Sequence, residues 1–163
     1  MARLNWSKST RDRDTDAVPH WPGERREQAL RVLVEHPDPV ALDHIARGLR
    51  ARGYEVVGCG GPDPAGPVHT LSCPVLNGQV CPAVDGADVI VSGLAVEGSS
   101  EGLIVQGIAE NPGSPPMLVE ATDWQVQAAF GDPEALTHRY PLGSVDDVAT
   151  AIEDLRESMP NSR

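Results

Sequence analysis

Apolar positions along residues 31–158 fall into short β-branched runs separated by stripes at helical spacing. The run Val32–Val34 is apolar without alternation, the pattern of a strand buried on both faces, and Pro37 bounds it. Asp38 then reads as a helix N-cap and Pro39 as an N1 proline. Leu42, Ile45, Ala46 and Leu49 form one helical stripe that Gly53 ends. Tyr54–Val57 predicts a second strand and Ala87–Ser92 a third. Ser99 or Ser100 opens a helix whose Leu103, Ile104, Gly107 and Ile108 are expected to face the sheet, and Asn111-Pro112-Gly113 stops it. Met117–Glu120 predicts a fourth strand, and Thr122 or Asp123 starts a short helix through Phe130, ended by Gly131. A weak strand signal near His138–Pro141 precedes Ser144, which with Asp147 forms a capping-box-like start to the last helix. The stripe of that helix is Val145, Val148, Ala149, Ile152 and Leu155.

Strands alternating with helices imply a parallel sheet covered on both faces. The fold class is therefore α/β, a three-layer doubly wound sheet of five strands in the order 2-1-3-4-5. One crossover breaks the pattern. Residues 58–86 carry Pro and Gly too densely for a long regular helix, so an irregular Cys/Pro/Gly-rich crossover is expected in place of the second helix. Residues 1–27 mix charge, Pro, Gly and Ser without apolar periodicity and read as a mobile tail, with Trp21 expected to pack on the domain. The domain is placed at 28–159, with 160–163 as a C-terminal tail.

At 163 residues the chain is about one domain's worth. Its net charge of −11 is uneven, since every Lys and Arg lies in 3–52 or 139–163 and the stretch between carries eleven acids. Such a surface repels phosphate backbones and anionic lipid, which argues against nucleic-acid or membrane binding. No apolar stretch approaches a membrane span or a secretion signal, and three cysteines suit a reducing compartment, so a cytoplasmic location is expected.

Those cysteines, Cys59, Cys73 and Cys81, flank His69 in the anomalous crossover, and Cys-Pro recurs at 73–74 and 81–82. Three thiolates and an imidazole would complete a four-ligand zinc or iron–sulfur site, although the spacing matches no finger or ferredoxin pattern. Redox pairing of Cys73 with Cys81 is a second reading, and simple packing of buried thiols a third. His36 beside Glu35 offers a base or ligand at the first strand's end, but hydrogen-bonded structural duty competes with that. No Gly-rich phosphate loop follows the first strand.

The gapless run Val32–Val56, an apolar strand followed by an acidic cluster and a helix ending in Gly53-Tyr54-Glu55-Val56, resembles the opening of bacterial response-regulator receiver domains. Asp88-Val-Ile-Val-Ser-Gly-Leu resembles the third receiver strand, and Tyr140-Pro141 stands where receivers carry Lys-Pro. The resemblance spans about residues 30–158. It implies a flavodoxin-like switch domain, yet the switch residues differ. His36 and Pro37 take the positions of the two metal-binding acids, Gly93 that of the acceptor aspartate, Ala121 that of the switch hydroxyl and Tyr140 that of the lysine. Thr122 could replace the hydroxyl after a one-residue slip.

Receiver chemistry needs hard carboxylate oxygens, an aspartate nucleophile and a lysine. The resemblance thus implies an atypical or pseudo-receiver, non-enzymatic, not phosphorylated by the usual aspartate mechanism and acting through protein contact. By resemblance, residues 123–158 would dock a protein partner or form a homodimer. With no output domain after the last helix, the target is expected in trans. No cofactor is implied by this reading. The alternative is a thiol or metal (Zn or Fe–S) sensor using Cys59, His69, Cys73 and Cys81. An enzyme using His36, Glu35 and Thr122 is a residual possibility, since no nucleophile–base pair is visible.

Overall fold

The apolar runs pair as parallel strands. The computed structural model describes residues 18–61, 73–95, 100–132, 139–140 and 144–159. Strand β1 (Arg31–Glu35) lies between β2 (Glu55–Cys59) and β3 (Val89–Ser92), and β4 (Met117–Glu120) pairs with β3. The two-residue β5 (Arg139–Tyr140) extends the sheet, which runs β2-β1-β3-β4-β5. The expected order holds for the four full strands, and the fifth is a minimal edge.

Alternation along β1 divides the protein into two apolar layers. Val32 and Val34 face one, with α1 (Pro39–Ala51) and α5 (Val145–Ser158). Leu33 faces the other, with α3 (Ser100–Ala109) and Val126 of α4 (Asp123–Phe130). The helix starts follow local chemistry. Asp38 Oδ1 accepts the Val40 amide at 2.8 Å, and Thr122 with Gln125 and Ser144 with Asp147 form complete capping boxes. Gly48 lets α1 and α5 close together, since a Cβ there would meet Val145 Cγ1 at 2.5 Å.

The structure refines the sequence reading in its details. Gly102, Ile104, Val105 and Ile108 are the buried residues of α3, whereas Leu103 is 59% exposed. This helix is apolar over most of its surface, so no polar face marked its rotation, and Gly107, also expected to face the sheet, is exposed beside Val75 of the crossover. The crossover contains a 3-10 turn at Val75–Asn77 and a four-residue α2 (Pro82–Asp85), and Cys59, grouped with it by composition, is the last residue of β2.

Residues 18–27, grouped by composition with the tail, lie on the domain. Trp21 Nε1 donates to Ala83 O at 3.0 Å, and its ring lies 5.2 Å below the Arg31 guanidinium. Arg25 pairs with Asp88 and Arg26 with Glu55. One aromatic anchor and two ion pairs outweigh a polar composition.

Candidate functional site

Ligands of open α/β sheets gather at the carboxyl ends of the strands. Here β1 and β3 end side by side, because the Gly93 amide donates to Glu35 O at 2.7 Å and the His36 amide to Cys59 O at 3.0 Å. These bonds bring His36 onto Gly93. A Cβ built on Gly93 would lie 3.1 Å from His36 Nε2, 3.3 Å from Cγ and nearer still to Cδ2. The imidazole occupies the volume that any side chain at position 93 would need.

His36 is fixed from its other edge, where Nδ1 accepts the Asp38 amide at 3.0 Å. Neutral imidazole so bonded carries its proton on Nε2. Pro37 is exposed and has no side-chain donor atom, and Asp38 is occupied as the α1 cap. Ala121 follows β4 half-buried, its amide donating to Val119 O. The Thr122 hydroxyl is engaged in the α4 capping box, accepting from the Gln125 amide and donating to Gln125 Oε1 at 3.1 Å. That is where the structure places the hydroxyl next in sequence to Ala121. Tyr140 lies in β5, and its side chain is outside the described residues. A divalent cation of the receiver type does not fit this donor set, which offers an imidazole, a proline and a glycine where hard oxygens are required.

Beneath this strand end lies an acid that sequence reasoning treated only as the neighbour of His36. Glu35 is 3% exposed and shares the side of the sheet with Leu33, opposite the face of Val32 and Val34. In register, Cys59 lies beside it on β2 and Ser92 on β3, so Cys59, Glu35 and Ser92 form a polar row across three strands of an aliphatic layer. Neither Glu35 Oε2 nor Ser92 Oγ has a hydrogen-bond partner of sound geometry. Burial pushes the Glu35 carboxyl up to about 7, and the Ser92 hydroxyl beside it offsets only part of that. The signal was available in the parity of β1. An acid two residues from Leu33, on a strand read as buried on both faces, cannot reach solvent.

The cysteines approach the same row. Cys73 and Cys81 of the crossover join Cys59 in the second layer, and all three are unbridged thiols. Burial, and then the charge of Glu35, push the Cys59 thiol up to about 12, and burial raises Cys73 as well. Redox-active thiols need the opposite displacement. Among the described residues no group of three or more His, Cys, Asp or Glu is placed to hold a metal ion, and His69 lies outside them. No helix among the described residues is long and apolar enough to cross a membrane.

The arrangement has known counterparts in fold. A response regulator from Desulfuromonas acetoxidans is 12% identical with a TM-score of 0.53, covering 80% of this chain and 99% of that one. The chemotaxis response regulator CheY4 of Vibrio cholerae is 14% identical with a TM-score of 0.50, at the same coverage of both chains. No known protein family matches the sequence, and no curated protein does. At such identities the likeness establishes the fold, which is receiver-like and flavodoxin-like.

Proposed function

We propose that this chain is a receiver-like signalling module that works by protein contact and is not switched by aspartyl phosphorylation. The observation that carries this reading is the seating of His36 over Gly93. A receiver stores its signal in a phosphoryl group on a carboxylate, held by a divalent cation and a lysine. Here the acceptor position has no side chain, and a ring held by the Asp38 amide occupies the space above it. Glu35, the carboxyl next to His36 in sequence, lies on the other side of the sheet among thiols and aliphatic groups.

The module is non-enzymatic and cytoplasmic in this reading, and its output is a docking surface. The region 123–158 is assigned that role by its likeness to the faces receivers use. Trp124, at the first turn of α4, leaves 70% of its surface exposed there. Large aromatics are enriched at the centre of protein interfaces and costly to leave in water. Trp124→Ala tests the assignment, with self-association followed by sedimentation and partner recovery by crosslinking. Both are expected to fall at least tenfold while the fold is retained, because a central aromatic commonly contributes about 2 kcal/mol or more to binding. Unchanged association and recovery would remove α4 from the surface.

A further inference from the structure

The end of the sheet opposite His36 and Gly93 holds a cavity of about 440 Å³, set between the segment that precedes β1 and the junction of α1 with β2. Sites for small molecules are commonly of this size. Trp21 and Tyr54 wall it, and its charged groups are Glu24, Arg26, Arg50 and Glu55. Trp21 is fixed by the bond from Nε1 to Ala83 O, and Gly86 leaves the indole its place, because a Cβ there would collide with the ring. Tyr54 is fixed through its hydroxyl, which donates to Glu153 Oε1. Both aromatic walls are therefore set before any ligand arrives, which lowers the entropic cost of binding.

The charged groups divide into those the protein uses itself and those it leaves open. Glu55 Oε1 accepts from the Arg26 amide at 2.7 Å and from Arg26 Nε at 3.0 Å, and its Oε2 accepts from Arg31 Nε at 2.8 Å. Glu24 and Arg50 differ, since among the described residues neither takes part in an ion pair. Arg50 Nη2 donates to Val56 O at 2.9 Å, which fixes the guanidinium at the cavity and leaves its other donors open. One unpaired cation and one unpaired anion thus stand beside two aromatic walls.

Such a pair selects a ligand by its charges. A phosphate or dicarboxylate would meet Glu24 and Glu55 as well as Arg50, and a simple amine would meet Arg26 and Arg50. A zwitterion meets one charge of each sign and adds no net charge. Its body should be a flat ring, because aromatic side chains favour stacked or edge-on aromatic partners. We propose that this cavity binds a free aromatic α-amino acid, with the carboxylate on Arg50, the ammonium on Glu24 and the ring against Trp21 and Tyr54. The site stands whether or not residues 123–158 dock a partner.

The test titrates the full, isotope-labelled chain with L-phenylalanine and follows the Trp21 indole N–H resonance, assigned through Trp21→Phe. A saturable shift is expected, with a Kd on the order of 1 mM or below for a ligand of this size. Phenylpropionate lacks the ammonium and phenethylamine the carboxylate, and each should bind roughly tenfold more weakly or worse. Arg50→Gln and Glu24→Gln should each lower the affinity for L-phenylalanine by roughly tenfold or more. Glu24 is exposed, so its variant keeps the fold and, with the two analogues, decides should Arg50→Gln not fold. No saturable shift up to about 20 mM, an analogue that binds as well as L-phenylalanine, or a folded variant of undiminished affinity would overturn the site.

Discussion

The His36 imidazole lies directly over the Gly93 backbone, close enough that a Cβ on residue 93 would stand 3.1 Å from Nε2. The ring is not free to swing away, because its Nδ1 receives the Asp38 amide at the start of α1. Gly93→Ala must displace the ring or the β3 end, and is expected to cost about 1–3 kcal/mol. In the double variant His36→Ala/Gly93→Ala most of that added cost should vanish. Urea denaturation of the four proteins of this cycle measures the coupling, and strict additivity would show that the ring and the glycine do not share the space.

Two glutamates should shape stability against pH in opposite directions. Glu55 is held down to about 2, first by the hydrogen bond from Arg31 and then by the Arg26 amide. Its contribution is present above the ordinary carboxylate range and lost as pH falls through about 2. Glu35 is pushed up to about 7, so its contribution is complete below the ordinary range and lost as pH rises through about 7. The unfolding free energy from denaturant titrations should therefore decline from about pH 5 to about pH 8 by a few kcal/mol, and Glu35→Gln should flatten that limb. A midpoint that rises over this window in the unmodified chain would contradict the assignment.

Trp21 ties residues 18–27 to the crossover and to β1. Trp21→Ala removes a half-buried indole, its bond to Ala83 and the guanidinium above it, for about 2 kcal/mol. A shift of the urea midpoint measures it. Trp21→Phe should recover part of the loss by keeping the ring without the N–H donor.

Thr122 serves α4 and not the strand-end pocket. Thr122→Ala should lower stability by about 1 kcal/mol, the usual worth of a capping hydroxyl, and thermal unfolding checks it. A much larger loss would mean that the hydroxyl has a second partner.

How much of this could be read from the chain depends on where the signal was stored. The Val32–Val34 and Val89–Ser92 runs carry their burial in β-branched side chains, and the Asp38-Pro39 and Ser144-Asp147 starts carry theirs in capping chemistry. Both kinds of signal are local. The rotation of α3 was not, because a helix apolar over most of its surface carries no polar face to orient it. The seating of Trp21 depended on Ala83, some sixty residues away. Of the strand-end site, the residues at 36, 37 and 93 could be placed at strand ends, but the packing of His36 against Gly93 could not. The burial of Glu35 is carried by the parity of β1, which sets it on the side of Leu33 and not at the open strand end.

The central claim concerns what position 93 cannot do. Incubation of the full chain with acetyl phosphate and Mg²⁺, followed by intact-mass measurement and mapping, tests it most directly. The mass should remain that of the unmodified chain, with no base-labile phosphoryl group on any aspartate or glutamate. A stoichiometric, acid-stable and base-labile label on an acidic residue at the strand ends would contradict the account.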